Sequence, residues 1–275
     1  MGLHRIKYNF IINLCEHGGK VIILLLLFLI SVSIENVIIA FSLAFALASS
    51  VGAWIIYHNF YKHLPQSTSS YTSAILRYSL PLFFISLGFL LLTEVDTMML
   101  GILTNDSEVG IYAVPKQFSI KVPQIALALA MGSMPVFAQL SSDNKERLQK
   151  LFQKLLLINS GIMLIFLIGV FSLSHWLIPL IFGESYMASV PVLYVLSLYT
   201  VMNSFAIIFA HFLDYQGYAQ RRAWSLSITM ISNIILNLIL IPEYGVLGAA
   251  IGTTISYVPY TILNSLAIYN VFRKY

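Results

Sequence analysis

Apolar residues run along this chain in long blocks, without the two-residue alternation of soluble strands or the single apolar stripe of soluble helices. A helix that crosses a bilayer needs about 20 such residues, because each advances about 1.5 Å through a hydrocarbon core of about 30 Å. Eight blocks meet that length: 12–33, 37–60, 78–103, 109–140, 151–182, 188–213, 223–241 and 246–271. The first two form a nearly continuous run, and Ser33, Glu35 and Asn36 are the residues able to turn it. The fourth and fifth exceed one crossing, which predicts tilt, kinks or helix extending past the bilayer. Pro115, Pro123 and Pro135 fall inside the fourth. A proline removes a backbone donor and clashes with the preceding turn, so that helix is expected to bend or break. The fold class is all-α, a polytopic membrane helical bundle of about eight transmembrane helices.

Lysine and arginine fix the expected orientation, since short cytoplasmic loops carry the excess of positive charge. With the amino terminus inside, twelve of the fifteen basic residues lie at the cytoplasmic side, from Arg5 and Lys7 through Lys62, Arg77, Lys145, Arg147, Lys150 and Lys154 to Arg221, Arg222, Arg273 and Lys274, and the outer loops hold none. The outer turns hold only acids, at Glu35, Asp106, Glu108, Glu184 and Glu243, and Lys20, Lys116 and Lys121 lie within spans. Both termini are therefore expected to be cytoplasmic. The start, MGLHRIKYNF, lacks the short apolar core and small-residue cleavage site of a signal peptide, so insertion is expected to use the spans themselves.

Composition narrows the function classes. Of 275 residues, 59% are hydrophobic and 9% charged, against about 45–50% and about 25% for soluble domains. The mean hydropathy is +0.85, which excludes a water-soluble enzyme. Cys15 is the one cysteine, so an internal disulfide and a multi-thiolate metal site are excluded. The net charge of +4 marks one membrane face and does not point to nucleic acid. The longest extramembrane stretches, around 65–73 and 141–150, are too short for a soluble domain, so any chemistry is expected within the membrane.

Ionisable groups in hydrocarbon are costly and usually face a protein interior or a watery cavity. Glu94 and Asp96 lie near the outer end of the third span, and Lys116 and Lys121 lie on the fourth. By helical rise, Asp96 and Lys116 reach a similar depth, roughly 10 Å below the outer surface, where they can pair. Lys121 lies about 8 Å deeper and has no acid at its level in this hairpin. The functional reading of both lysines is a positive lining for an anionic, phosphate-bearing substrate. The structural reading is an ion pair plus one lysine snorkelling to water. Glu94 and Asp96 lie about 200° apart around the helix and are not expected to share one face. Either is a candidate for ion coupling or for a structural role.

Weaker signals carry blander readings. Gly248 and Gly252 form GxxxG in the last span, the pattern of close helix packing. Asn233 and Asn237 share a face of the seventh span; they are candidate sugar contacts, with interhelical hydrogen bonding the alternative. The six histidines are scattered, so neither a metal site nor any other cofactor is expected. Asp214, Arg221 and Arg222 flank a cytoplasmic turn, where they either anchor topology or meet a phosphate at the inner mouth.

From the third span onward the sequence resembles the Wzx-type polysaccharide flippases, a branch of the superfamily that also holds the multidrug antiporters and the peptidoglycan-precursor flippase. The likeness is distributed. PLFFISLGFLLLTEVDTMMLGILTNDSEVGIYAVPKQFS carries an Asp followed by Leu-Gly, here Asp96, Leu100 and Gly101, and then Val-Gly-x-Tyr at Val109, Gly110 and Tyr112. MPVFAQLSSDNKERLQKLFQKL resembles the family's proline-containing helix end and charged loop. LIPLIFGESYMASVPVLYVLSL and LNLILIPEYGVLGAAIGTTISY resemble its outer loop and its Ile-Pro-x-Tyr-Gly segment. GLHRI looks like the Gly-Leu-x-Arg after the family's fourth helix.

The resemblance implies two six-helix lobes, with residues 1–64 the last two helices of an amino-terminal lobe, 65–77 a cytoplasmic linker and 78–275 a complete second lobe. Four preceding helices are then missing from this chain. It further implies no catalytic residue and a flippase of the bacterial plasma membrane. Such a protein moves an undecaprenyl-diphosphate-linked oligosaccharide to the outer leaflet, for O-antigen and lipopolysaccharide, capsule or exopolysaccharide synthesis. A polysaccharide polymerase and a chain-length regulator are the candidate protein partners. Lys116 and Lys121 would line the cavity for the diphosphate, and Asp96 falls at the family's Asp. The family often places a basic residue after that Asp, where Thr97 stands here. Alternatives are a cation-coupled multidrug-type exporter of the same superfamily, an inactive fragment, or a membrane enzyme acting on the same lipid.

Overall fold

The computed structural model describes residues 6–29, 31–59, 62, 76, 93–140, 145–216 and 218–274. Most of the expected linker 65–77, the first part of the third span and residues 141–144 lie outside the described residues. Contacts divide the chain into two compact units, Met1–Tyr78 and Ser79–Tyr275.

In the first unit α1 (Ile6–Phe28) pairs with α2 (Ile34–Asn59). Ser33, expected at the end of the first span, instead caps α2: its Oγ accepts from the Asn36 backbone N–H at 3.2 Å, which satisfies an N–H that has no helical partner. The first helix consequently begins and ends about five residues earlier than its apolar block. Ala40, Ala44, Ala48 and Gly52 recur every fourth residue and form the buried seam of α2. A Cβ added to Gly19 of α1 would stand 3.5 Å from that of Ala44, and one added to Gly52 3.5 Å from Ile12. Small residues thus let the two backbones approach, as helices do in lipid. Lys20, within α1, is held by Glu16 one turn earlier at 2.6 Å and sits over the Phe41 ring.

The second unit contains α3 (93–103), α4 (Asp106–Lys121), α5 (Gln124–Leu140), α6 (Lys145–Phe182), α7 (Ser189–Tyr215) and α8 (Ala219–Lys274). The expected fourth span is broken into α4 and α5 at Val122 and Pro123. Pro115, by contrast, lies inside a continuous α4. Having no N–H, Pro115 leaves the Ile111 carbonyl without its helical donor, and the Ser189 hydroxyl of α7 donates to that oxygen at 2.7 Å. α6 has 38 residues, longer than a bilayer requires, and its first turn carries an exposed Lys150–Glu146 pair.

α7 is the central element and packs on α4, α5, α6 and α8. Leu196 and Val192 of α7 join Leu100, Tyr112, Ala249 and Ala250 in one core. Further along, Ile208 and Phe212 join Phe152 and Ala267 in another. α8 folds back on itself at Gly245 (φ 54°, ψ −131°), a left-handed backbone that glycine adopts without Cβ strain. Its two arms correspond to the seventh and eighth blocks. A Cβ on Gly248 would fall 2.1 Å from the Leu240 carbonyl oxygen, and one on Gly252 2.4 Å from Asn237 Oδ1. The arms therefore touch backbone to backbone. Glu108, in the first turn of α4, accepts the Val246 N–H at 2.8 Å and so satisfies a free donor at the start of the second arm.

Gly248→Ala is expected to destabilise the purified protein by roughly 1–3 kcal/mol through overpacking against backbone. Gly161→Ala on α6, whose Cβ would meet nothing within 4 Å, is expected to be neutral or stabilising by up to about 1 kcal/mol. Thermal melting in detergent compares the two, and equal shifts would contradict the backbone contact at Gly248.

Candidate functional site

The charged residues of the third and fourth spans converge. Lys116 lies one turn after Tyr112 on α4, which puts both side chains on the same helix face, towards the start of α3. The Lys116 ammonium donates to Glu94 Oε2 at 2.8 Å, to Asp96 Oδ1 at 3.1 Å and to the Thr97 hydroxyl. Those contacts use its three N–H donors. Asp96 Oδ1 also accepts the Thr97 backbone N–H at 2.9 Å, and Oδ2 accepts the Tyr112 hydroxyl at 2.6 Å. Asp96 and Lys116 are 7% and 8% exposed, so the pair is desolvated and yet saturated with hydrogen bonds, the condition under which a buried ion pair is tolerated.

Two expectations change here. Glu94 and Asp96 do meet a common partner despite their angular separation, because glutamate has an extra methylene and the lysine ammonium lies between the two faces. The Glu94 side chain remains 46% exposed, so only one of the acids is enclosed. Thr97, standing where the resembled family often has a base, acts as an acceptor for a base that comes from the neighbouring helix.

Lys121 is in a different environment. It is exposed at the last residue of α4, beside the Pro123 break, and its ammonium has no ion-pair or hydrogen-bond partner among the described residues. The two lysines, five positions apart, therefore separate into one neutralised and one available cation.

Asn233 and Asn237 lie in the α8 seam. Asn237 Nδ2 donates to Asn233 Oδ1 at 3.1 Å, and Asn233 Nδ2 reaches the Thr253 and Ser256 hydroxyls of the second arm at 3.3 Å. Asn237 is fully buried, and its Oδ1 has no hydrogen-bond donor. In this conformation the amides hold the hairpin together, and Asn237 is enclosed.

The structure also shows partners that sequence reasoning missed. The Tyr112 hydroxyl on Asp96 was legible in principle, since Tyr112 and Lys116 are one turn apart. The Asn159–Ser204 contact between α6 and α7, 2.6 Å and fully buried, joins residues 45 positions apart with no local signal. No group of three His, Cys, Asp or Glu side chains is placed to hold a metal among the described residues.

Lys116→Met is expected to cost about 3 kcal/mol or more by leaving Asp96 buried and unpaired, and Asp96→Asn less, because Glu94 still faces the ammonium. The double variant should recover much of the loss. Melting of the four proteins in detergent measures this coupling, and additive losses would show that the two groups do not act as a pair.

Comparison with known proteins bears on the family of the chain. The family model described as "Polysaccharide biosynthesis protein" matches residues 1–141, and the MatE model matches residues 81–240. An uncharacterized membrane protein of Methanocaldococcus jannaschii is 26% identical over 98% of this chain and 66% of its own length. A probable low-salt glycan biosynthesis flippase, Agl15 of Haloferax volcanii, is 24% identical over 66% of this chain and 38% of its own length. The chain thus spans just under two thirds of the first relative and well under half of the second. No solved structure matches. The matched lengths lead to one assignment: the chain belongs to the family described as polysaccharide biosynthesis protein, and over most of its second unit it also matches the MatE model.

Proposed function

We propose that this chain forms the cavity-bearing part of a flippase that carries a lipid-linked oligosaccharide across the plasma membrane, the glycan linked to its polyprenyl carrier through a diphosphate. The observation that carries the reading is Lys121, an exposed ammonium at a helix break within an apolar span and without an internal counter-ion among the described residues. A cation kept in such a place is costly unless it faces water or an anion, and a diphosphate is the anion that a glycan carrier presents. The turn at Val122 and Pro123 adds to this, because a proline cannot donate to the Ser119 carbonyl and the helix is interrupted directly after the charge.

Lys116 takes the supporting part. Its charge is spent on Asp96 and Glu94, so it fixes α3 against α4 and sets the wall from which Lys121 projects. Glu94, half exposed beside it, is the carboxylate through which a proton or cation reaches the cluster and couples to transport. The Asn233–Asn237 seam lets the α8 hairpin move as one piece while the lobes alternate between inward-open and outward-open forms. Both termini face the cytoplasm in this reading. The glycan belongs to a surface polysaccharide, with a polymerase and a chain-length regulator downstream.

The test uses the gene at its natural length in a host whose own flippase has been deleted. Lys121→Ala should lower surface polysaccharide by about tenfold or more at equal membrane abundance, the order expected when a charge-assisted contact worth about 1.5–3 kcal/mol is lost. Lys121→Glu should abolish export, and Lys121→Arg should retain most of it. Export unchanged in Lys121→Glu would overturn the proposal, and expulsion of cationic dyes in its place would favour the multidrug-type reading.

A further inference from the structure

The open end of the α8 hairpin carries a groove of about 330 Å³ between its arms, remote in sequence from the Asp96–Lys116 cluster. Arg221, Trp224 and Ile228 line it from the first arm, and Leu263, Leu266 and Asn270 from the second. Its chemistry is graded along the helix axis. Arg221 and Asn270 stand at the mouth, Trp224 follows and is 68% exposed, and Ile228, Leu263 and Leu266 form the floor. From Arg221 to Ile228 the arm advances about 10 Å, the distance from a phosphate layer into the upper acyl chains of a bilayer.

The two neighbouring arginines behave differently. Arg222 is committed, with Nε and Nη2 on the two Asp214 oxygens at 2.8 and 3.0 Å. The Arg221 guanidinium has no ion-pair or hydrogen-bond partner among the described residues. The nearby Ser225 hydroxyl is turned away from it, donating to the Arg221 carbonyl at 3.2 Å. The mouth is therefore a positive charge without an internal counter-ion, above an apolar slot, in a protein whose surface faces lipid. A tryptophan at this level is the usual interfacial anchor, and guanidinium is well suited to holding a phosphate through paired hydrogen bonds.

We propose that this groove is a binding site for an anionic glycerophospholipid of the basic-side leaflet, with the phosphate on Arg221 and the Asn270 amide and one acyl chain along Ile228 and Leu266. The complementarity of charge and the gradient from polar mouth to apolar floor select this occupant over a zwitterionic lipid. The site is independent of the substrate reading above and would hold in a flippase of any glycan.

The chain contains three tryptophans, and Trp54 and Trp176 are both largely exposed, so W54F/W176F should fold and leave Trp224 as the sole reporter. The variant is reconstituted in phosphatidylcholine vesicles containing a minor fraction of acyl-brominated phosphatidylglycerol or, in parallel, of acyl-brominated phosphatidylcholine. Quenching of Trp224 should show a roughly fivefold preference for the anionic lipid, the equivalent of about 1 kcal/mol for a basic residue near an anionic surface. R221Q should remove that preference, R221K should keep part of it, and raising salt on the unsubstituted Arg221 chain should weaken it. A chain keeping only Trp176 should show none. Equal quenching by the two lipids would reduce the groove to ordinary lipid contact and overturn the proposal, as would a preference that survives R221Q.

Discussion

Hydrocarbon offers no hydrogen bonds, so every carbonyl, amide and charge inside this protein has to be answered by another part of the protein. Much of the second unit can be read as a set of such answers. Ser189 supplies the donor that Pro115 lacks, which ties the middle of α4 to the start of α7. Glu108 supplies the acceptor that the second arm of α8 needs at its first turn, which ties the start of α4 to the hairpin tip. Lys116 and Asp96 answer each other. A helix end, a proline and a pair of charges, each a local liability, together tie α3, α4, α7 and α8 to one another.

The same constraint gives the two lysines of α4 opposite roles. One is enclosed, with its donors used by two carboxylates and a hydroxyl, and holds helices in register. The other stands at the turn before α5, and its donors have no partner among the described residues. A protein that had only to pack its helices could keep Lys116 and do without Lys121. This difference separates a charge that holds the fold from one that the fold leaves at its surface.

The blocks of apolar residues were enough to place most helices, because length in lipid is set by bilayer thickness and not by packing detail. They could not locate the ends. Ser33 closes one helix or opens the next according to whose N–H it accepts, and that contact is not visible in hydropathy. The break at Pro123 and the continuity at Pro115 also look alike in sequence, and the answer to the carbonyl freed by Pro115 comes from Ser189, 74 positions later. The pairing of Asp96 with Lys116 followed from depth alone, whereas the sharing of Lys116 with Glu94 depended on side-chain reach. The Ala40–Ala44–Ala48–Gly52 seam was legible as a four-residue repeat of small side chains but was masked by the high hydrophobicity around it.

With Gly248 against the Leu240 carbonyl, the arms of α8 are in contact from the first residues beyond the bend, leaving no slack between them. Residues 219–274 are thus two apolar stretches in the sequence but one packing unit in the fold. Asn233 of the first arm reaches the Thr253 and Ser256 hydroxyls of the second, so a polar contact of this seam is made within the hairpin itself. Lipid has no room to enter between the arms near the bend.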